Sequence, residues 1–143
     1  MFIPQNFKYK KTFRPRIKQK VYSYSKNVNM SYGDFGFKSL ESGWLNSKNL
    51  ETIRKILNKQ LKKTGSFVVK IFPNYTITKK PLEVRMGKGK GNVDTWVFPI
   101  KIGTIFIELK GIPYSKAVEL FQTCQIKLPI KIKLIINDAI YKE

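Results

Sequence analysis

A short stretch that alternates glycine with lysine carries the clearest chemical signal in this sequence. Between Gly87 and Gly91, glycine occupies every second position, with Lys88 and Lys90 between the glycines. Glycines spaced in this way destabilise the interior of a helix or strand, because glycine loses the most backbone entropy on folding and has no side chain to bury. The pattern therefore predicts a loop, and the β-prone residues on both sides of it predict that it joins two strands.

The chemistry that this loop could perform is the binding of a polyanion. Arg85, Lys88 and Lys90 are positively charged, and no acidic residue lies between Glu83 and Asp94. Glycine lets backbone N–H groups approach phosphate oxygens closely, lysine supplies point charges, and the planar guanidinium group of arginine can bind phosphate through two hydrogen bonds. A loop of this composition is also common as a plain solvated surface loop, so composition alone leaves both interpretations open.

The charge of the whole chain indicates a nucleic-acid partner. Its 143 residues include 28 basic and 9 acidic ones, which give a formal net charge of +19. A compact domain with that charge repels itself unless a polyanion neutralises it. Because 42% of the residues are hydrophobic, a folded core is expected rather than a disordered tail. The length predicts one domain that spans residues 1–143.

The residues that are absent or rare exclude several classes of function. The sequence contains no histidine and a single cysteine, Cys124. Without histidine there is no Ser-His or Cys-His nucleophile, and one cysteine cannot form an intramolecular disulfide or a multi-cysteine zinc site. No run approaches the roughly 18 apolar residues of a membrane span. We therefore expect no histidine-dependent catalysis, no metal, no cofactor and no membrane association.

The N-terminal segment is a second cationic region, which we define as the arm, residues 1–30. No acidic residue precedes Asp34, and aromatic residues are interleaved with the basic ones. A segment of this kind is typical of an arm that becomes ordered on RNA, with cations on phosphates and rings on bases or in the protein's own core. The basic residues predicted to bind RNA are Lys8, Lys10, Lys11, Arg14, Arg16, Lys18 and Lys20. A mitochondrial targeting peptide would also be basic, but such peptides are usually richer in arginine and serine.

Two helices are predicted from the spacing of apolar residues. Leucine and isoleucine recur at steps of three and four between Asn46, a candidate N-cap, and Gly65, where the first helix should end. A second helix is expected to begin near Pro113 and to end before Pro129, with Cys124 on its buried face.

The remaining β-prone runs predict a sheet beneath these helices. These runs are residues 31–40, 66–72, 94–100, 104–109 and 128–136. Residues 66–72 are the clearest strand and are expected at the centre of the sheet. Residues 94–100 and 104–109 are expected to form a β-hairpin in which Pro99 marks an edge or a bulge. The predicted fold is α+β, with two helices packed on a mixed, mostly antiparallel sheet.

The order of residues around the loop resembles a known signature. Residues 80–93 read KPLEVRMGKGKGNV, and this is similar to the pattern KPLxVRMGKGKGNVxxW of the large-subunit ribosomal protein L-sixteen family. Residues 31–40, 66–72 and 128–136 resemble other segments of that family, so the resemblance covers roughly residues 28–136. The sequence departs from the family pattern at residues 41–44, where relatives often carry arginine, and at Tyr75, which replaces a common proline.

The resemblance implies a fold and a function. It implies a compact α+β domain, sometimes described as an α/β-hammerhead, that is a structural part of the large ribosomal subunit and performs no covalent chemistry. It implies binding to large-subunit rRNA near the peptidyl transferase centre, beside A-site tRNA and neighbouring ribosomal proteins, and not as a homo-oligomer. Residues 79–93 would point towards the tRNA. The loop residues implied to bind rRNA or tRNA are Lys79, Lys80, Arg85, Met86, Gly87, Lys88, Gly89, Lys90, Gly91 and Asn92.

Two alternative functions are compatible with parts of the sequence. A free-standing basic RNA-binding or RNA-chaperone protein would have the same charge. A phosphate-binding enzyme could use the glycine loop, although residues 87–91 match neither the Walker pattern nor Gly-x-Gly-x-x-Gly.

Residue usage bears on the location of the protein. Lysine outnumbers arginine, and Ile, Asn, Tyr and Phe are plentiful, which is typical of an AT-rich genome. We therefore expect a mitochondrial ribosome, with the bacterial cytoplasm or a plastid as alternatives.

Overall fold

In the residues that the structure describes, two antiparallel sheets and two helices enclose a hydrophobic core. The structure, a computed structural model, describes residues 2–13, 17, 29–62 and 64–137. The elements in chain order are β1 Phe35–Ser39, β2 Gly43–Asn46, α1 Ser47–Leu61, β3 Ser66–Val69, β4 Tyr75–Lys79, β5 Asn92–Ile100, β6 Ile105–Lys110, α2 Tyr114–Gln125 and β7 Ile132–Ile136. The predicted α+β class is confirmed. The predicted single mixed sheet is wrong, because the described strands form two sheets and all of their pairings are antiparallel.

The four-stranded sheet has the order β3-β6-β1-β7, which places β6 and β1 at its centre. All residues of β6 except Lys110 are buried, as expected for a strand that is covered on both faces. The prediction that residues 66–72 form a central strand is wrong, because β3 pairs only with β6 and Val68 is 42% exposed. β-branched and aromatic residues suit a half-buried edge strand as well as a central one, so their presence does not fix a strand's position.

The three-stranded sheet has the order β2-β5-β4, so the predicted hairpin between β5 and β6 is wrong. The chain instead passes from one sheet to the other at residues 101–104. The hydrogen bonds of this turn go to β1: Ser39 Oγ donates to the Lys101 carbonyl oxygen at 2.6 Å, and Gly103 N donates to the Ser39 carbonyl oxygen at 2.9 Å. Pro99 pairs with Trp44 of β2 and lies beyond Val97, where the pairing with β4 ends. A residue without an N–H group is tolerated there, because β5 has a described neighbour on one side only.

Both predicted helices are present close to their expected bounds. In α1, Leu50, Ile53 and Leu57 are buried, which confirms the apolar face read from the sequence. Asn46 is the N-cap residue but makes no side-chain cap hydrogen bond. In α2, Cys124 is fully buried, and burial raises the pKa of its thiol to about 12. The thiol therefore stays protonated and acts as a core residue.

The buried carboxylate of Glu108 in β6 binds both Lys70, which follows β3, and the chain before β1. Lys70 Nζ lies 2.7 Å from Glu108 Oε1, and the Glu108 carboxylate also accepts the backbone N–H groups of Ser31, Tyr32 and Gly33. Burial acts to raise the pKa of Glu108, but the hydrogen bonds from Lys70, Tyr32 and Ser31 outweigh it, so the pKa lies below its ordinary value. We call this group the Glu108 node.

Candidate nucleic-acid interface

The loop of residues 80–91 connects the neighbouring antiparallel strands β4 and β5. Every residue from 81 to 90 is exposed, and the strands on either side are held by the β4–β5 ladder. The loop thus has a firm base in the sheet and presents the rest of its length to solvent.

The tip of the loop has a backbone conformation that favours glycine. The φ angles are 110° at Gly87, 53° at Lys88 and 79° at Gly89, all in the left-handed region. A Cβ atom at Gly87 or Gly89 would meet nothing within 4 Å, so the backbone angle rather than lack of space creates the need for glycine there. Lys88 is held between these two glycines with its side chain exposed.

The base of the loop depends on close contacts between its two ends. A Cβ atom at Gly91 would lie 2.7 Å from the Lys79 carbonyl oxygen, closer than real Cβ atoms come. Lys80 Nζ donates a hydrogen bond to the Gly87 carbonyl oxygen. The loop is therefore folded back onto its own first residues.

The described part of the arm packs against β4 and β5. Thr12 N donates to Thr76 Oγ1 at 3.1 Å, and Thr76 N donates to Thr12 Oγ1 at 3.0 Å, which fastens the arm to β4. The ring centroid of Phe7 lies 5.5 Å from that of Trp96, in an edge-to-face arrangement. These contacts bring the arm beside the base of the loop.

The arm and the loop also contact each other directly. Lys11 Nζ donates to the Lys90 carbonyl oxygen at 3.0 Å, and Lys90 Nζ donates to the Thr12 carbonyl oxygen at 2.6 Å. Lys90 Nζ lies 5.0 Å from the ring centroid of Phe13. The two cationic regions that were predicted separately from the sequence therefore meet on one side of the molecule.

Comparison with known proteins identifies the family. The family model described as ribosomal protein L16p/L10e matches residues 4–135. This chain belongs to that family. The large ribosomal subunit protein uL16c of Euglena longa is 42% identical over 138 residues, which are 96% of this chain and 100% of the relative. The large ribosomal subunit protein uL16 of Coprothermobacter proteolyticus is 38% identical over 135 residues, 94% of this chain and 98% of the relative.

Membership of the L16p/L10e family confirms the resemblance and the general function. The protein is a structural constituent of the large ribosomal subunit, with large-subunit rRNA and ribosomal proteins as its partners. The family points to a structural rather than an enzymatic role. In the described parts of the chain, neither helix is long and apolar enough to cross a membrane. The same residues contain no group of three or more His, Cys, Asp or Glu side chains that could hold a metal ion.

Most residues predicted to bind RNA in this L16p/L10e protein are exposed. Exposed are Lys8, Lys10, Lys11, Lys79, Arg85, Met86, Gly87, Lys88, Gly89, Lys90 and Asn92, whereas Lys80 and Gly91 are half-buried. Arg14, Arg16, Lys18 and Lys20 lie outside the described residues. Among the described residues, Lys10, Arg85 and Lys88 take part in no hydrogen bond or ion pair with the protein.

Within the part of the chain that the structure describes, no carboxylate forms an ion pair with a cation of the loop. The ion pairs of the described residues lie elsewhere, joining Lys70 to Glu108, Arg54 to Glu51, Lys116 to Glu119 and Lys131 to Glu41. In α1, the hydrogen bonds from Arg54 hold the pKa of Glu51 below its ordinary value. The loop holds four basic residues and one acidic residue, Glu83, so it carries a net positive charge that suits it to a polyanion.

Sequence reasoning missed two threonines of this region. Thr12 and Thr76 join the arm to β4 through their hydroxyl and amide groups. Threonine is common in strands and arms alike, so no sequence signal distinguishes a pair of this kind. The sequence also gave no indication that Lys80 and Lys90 bind backbone carbonyls of the protein itself.

Proposed function

We propose that this protein binds large-subunit rRNA near the peptidyl transferase centre and helps to position A-site tRNA through residues 79–93. The observation that carries this proposal is the exposed loop whose Arg85 and Lys88 side chains have no partner among the described residues. Family membership supports the ribosomal setting, and the net charge of +19 supports contact with RNA over a large surface.

The chemistry of the loop is suited to sugar-phosphate backbones. Arg85 offers a planar fork that can bind one phosphate through two hydrogen bonds, and Lys88 offers a point charge. The glycines on either side of Lys88 allow the backbone to approach RNA without a side chain in between. In this proposal the protein positions and screens the RNA, and peptide transfer is left to the RNA itself.

The apolar side chains of the loop add a second kind of contact. Leu82 is 96% exposed and Met86 is 100% exposed, although both side chains are hydrophobic. Full burial of such a side chain stabilises a complex by about 1.5–3 kcal/mol, and sugar and base surfaces of packed RNA can provide that burial. Met86 therefore belongs with the cations in the proposed interface.

The arm is proposed to extend this interface along rRNA. Lys8, Lys10 and Lys11 are exposed, and Lys11 bonds to the loop at Lys90. The further basic residues of the arm, Arg14, Arg16, Lys18 and Lys20, carry the same charge. We propose that these residues bind phosphates during subunit assembly, because strongly cationic segments associate with RNA mainly through the release of counterions.

The location within the cell is proposed from residue usage and from the relatives. The lysine-rich, AT-type composition favours a mitochondrial ribosome, while the relatives uL16c and uL16 correspond to the plastid and bacterial alternatives. Detection of this chain in purified mitochondrial ribosomes supports the first location, and its recovery only from another compartment excludes it.

Replacement of Arg85 by alanine tests the proposed function. We expect A-site tRNA accommodation to slow by about tenfold, because a charge-assisted hydrogen bond is lost. The folded domain should keep its stability, since the side chain lies on an exposed loop. Rapid-kinetic measurement of tRNA accommodation on variant ribosomes gives the result.

The matched control is Arg54→Ala on α1, which removes an arginine that pairs with Glu51. Normal accommodation in the control and slow accommodation in Arg85→Ala support the proposal. Equal rates in both variants and in the wild type contradict it.

A further inference from the structure

The cations of residues 79–93 fall into two groups. Lys80 and Lys90 donate hydrogen bonds to backbone carbonyl oxygens of the protein, at Gly87 and Thr12. Lys79, Arg85 and Lys88 make no such side-chain bond among the described residues. The sequence gives no reason for this division, because all five residues are basic and lie within residues 79–93.

We propose that Lys11, Thr12 and Lys90 form an arm–loop latch, through which the arm holds the loop in the conformation that presents Arg85 and Lys88. The latch is a property of the protein alone. Its consequence for RNA binding rests on the proposed function, and Lys90 acts in it as a positioning residue.

The reciprocal lysine bonds are the first support for the latch. Lys11 reaches the backbone of Lys90, and Lys90 reaches the backbone of Thr12, so two charge-assisted bonds link the same two segments. Bonds from a charged donor are roughly twice as strong as neutral ones. The Lys90 ammonium also lies over the ring of Phe13, which adds a cation–π attraction at the same place. One lysine thus contacts two consecutive residues of the arm.

The threonine pair supplies the anchor for the latch. Thr76 is buried in β4, and its hydroxyl accepts the N–H of Thr12 at 3.1 Å. Thr12 Oγ1 in turn accepts the N–H of Thr76 at 3.0 Å. Because a buried polar group without a partner is costly, this reciprocal pair fixes the arm at Thr12 to the sheet. The loop then bonds to a point on the arm that is already anchored.

The choice of acceptors explains why the latch suits a surface that binds RNA. Every acceptor of the latch lysines is a backbone carbonyl, which carries no net charge. A carboxylate at the same place would hold the loop equally well but would cancel the charge that attracts phosphate. The latch therefore fixes the loop and keeps the cationic character of the interface.

Hydrogen exchange of the RNA-free protein tests the latch directly. Lys90→Met removes the donor and the charge. Lys88→Met makes the same chemical change at a neighbouring lysine whose side chain has no bond to any described residue. We expect exchange of the amides of residues 9–13 and 80–91 to become roughly 3- to 10-fold faster in Lys90→Met and to stay unchanged in Lys88→Met. Unchanged exchange of the β6 amides in both variants shows that the domain remains folded.

Conservative variants separate the latch from a general loss of structure. Lys90→Arg retains a donor and a cation, so it should keep exchange near the wild-type rate. Thr12→Val should accelerate exchange of the loop, whereas Thr12→Ser, which retains the hydroxyl, should not. Equal exchange of residues 80–91 in the wild type, Lys90→Met and Thr12→Val would overturn the latch.

The salt dependence of RNA binding distinguishes the latch from the proposed function. The probe is large-subunit particles that lack this protein. For Lys88→Met, the negative slope of log affinity for these particles against log salt should become shallower by about 0.7 to 0.9, the value for one lost phosphate contact. Lys90→Met should lower the affinity for the particles about threefold or more, with little change in the slope of the salt dependence.

Amide exchange and salt dependence, measured on the same variants, separate the latch from the proposed loop contact. If Lys90→Met gives a shallower salt dependence and leaves amide exchange of residues 80–91 unchanged, Lys90 is a phosphate ligand and the latch is overturned. An unchanged slope for Lys88→Met, with fast exchange in Lys90→Met, supports the latch and counts against the proposed loop contact.

Discussion

Two lysines join distant parts of this chain, but their acceptors differ in burial and in charge. Lys70 bonds to the Glu108 carboxylate in the interior, where the two side chains are 8% and 0% exposed. Lys90 bonds to the Thr12 carbonyl oxygen on the exposed side of the loop, 78 residues away in sequence. The first pair joins unlike charges, and the second joins a charge to a neutral dipole.

The buried contact stabilises the fold, whereas the exposed contact positions the loop. In the Glu108 node, a cation and three backbone N–H groups compensate a buried carboxylate, so removal of any one partner leaves uncompensated polar groups in the core. In the arm–loop latch, water can replace each lost bond, so the fold survives but the position of the loop does not. Among the described residues, Glu108 is the buried carboxylate, and no ion pair of the described residues involves Arg85, Lys88 or Lys90 of the loop.

Loss of the Glu108 carboxylate should give the largest effect. Glu108→Ala removes the carboxylate that binds Lys70 and three backbone amides in the interior, and we expect the free energy of unfolding to fall by about 3–5 kcal/mol. Denaturant unfolding followed by circular dichroism measures this. Glu119→Ala is the control, because the pair of Glu119 with Lys116 is exposed and should contribute only about 0–1 kcal/mol. Similar small losses in both variants would show that the Glu108 node does not hold the fold.

The pH dependence of stability sharpens the comparison. The pKa of Glu108 is lower in the folded protein than its ordinary value, so the node contributes stability above roughly pH 4.3, the ordinary range for glutamate. That contribution is lost as pH falls through the folded-state pKa. Stability should therefore drop more steeply with acid in the wild type than in Glu108→Gln. Parallel acid titrations of the two proteins would contradict the assignment.

The threonine pair should give a smaller effect on stability. Thr76→Val removes a buried hydroxyl that bonds to Thr12, and we expect a loss of about 1 kcal/mol. In a double-mutant cycle with Thr12→Val, the two losses should be less than additive, because both variants break the same contact. Additive losses would indicate that the arm is not fastened to β4 through this pair.

The sequence predicted the elements whose signals are local. Leu50, Ile53 and Leu57 follow helical spacing, and both helices appear near their predicted bounds. The glycines at residues 87–91 predicted a loop because they destabilise the interior of a helix or strand. The structure adds that the φ angle of Gly87 is 110°, which few other residues tolerate.

The missed features depend on contacts between distant residues. Ser39 binds the turn at residues 101–104, which sends β5 and β6 into different sheets, and no local pattern reveals that partner. The latch escaped prediction for a related reason. Its acceptors are backbone carbonyls, which every residue carries, so only the structure shows that Thr12 and Lys90 supply them.

A cryo-EM map of ribosomes that contain this protein is the most direct test of the proposed interface. We expect residues 84–92 to lie against rRNA and A-site tRNA, with Arg85 and Lys88 within hydrogen-bonding distance of phosphates and Lys90 still bonded to Thr12. A map in which residues 84–92 face solvent, far from any nucleotide, would contradict the account.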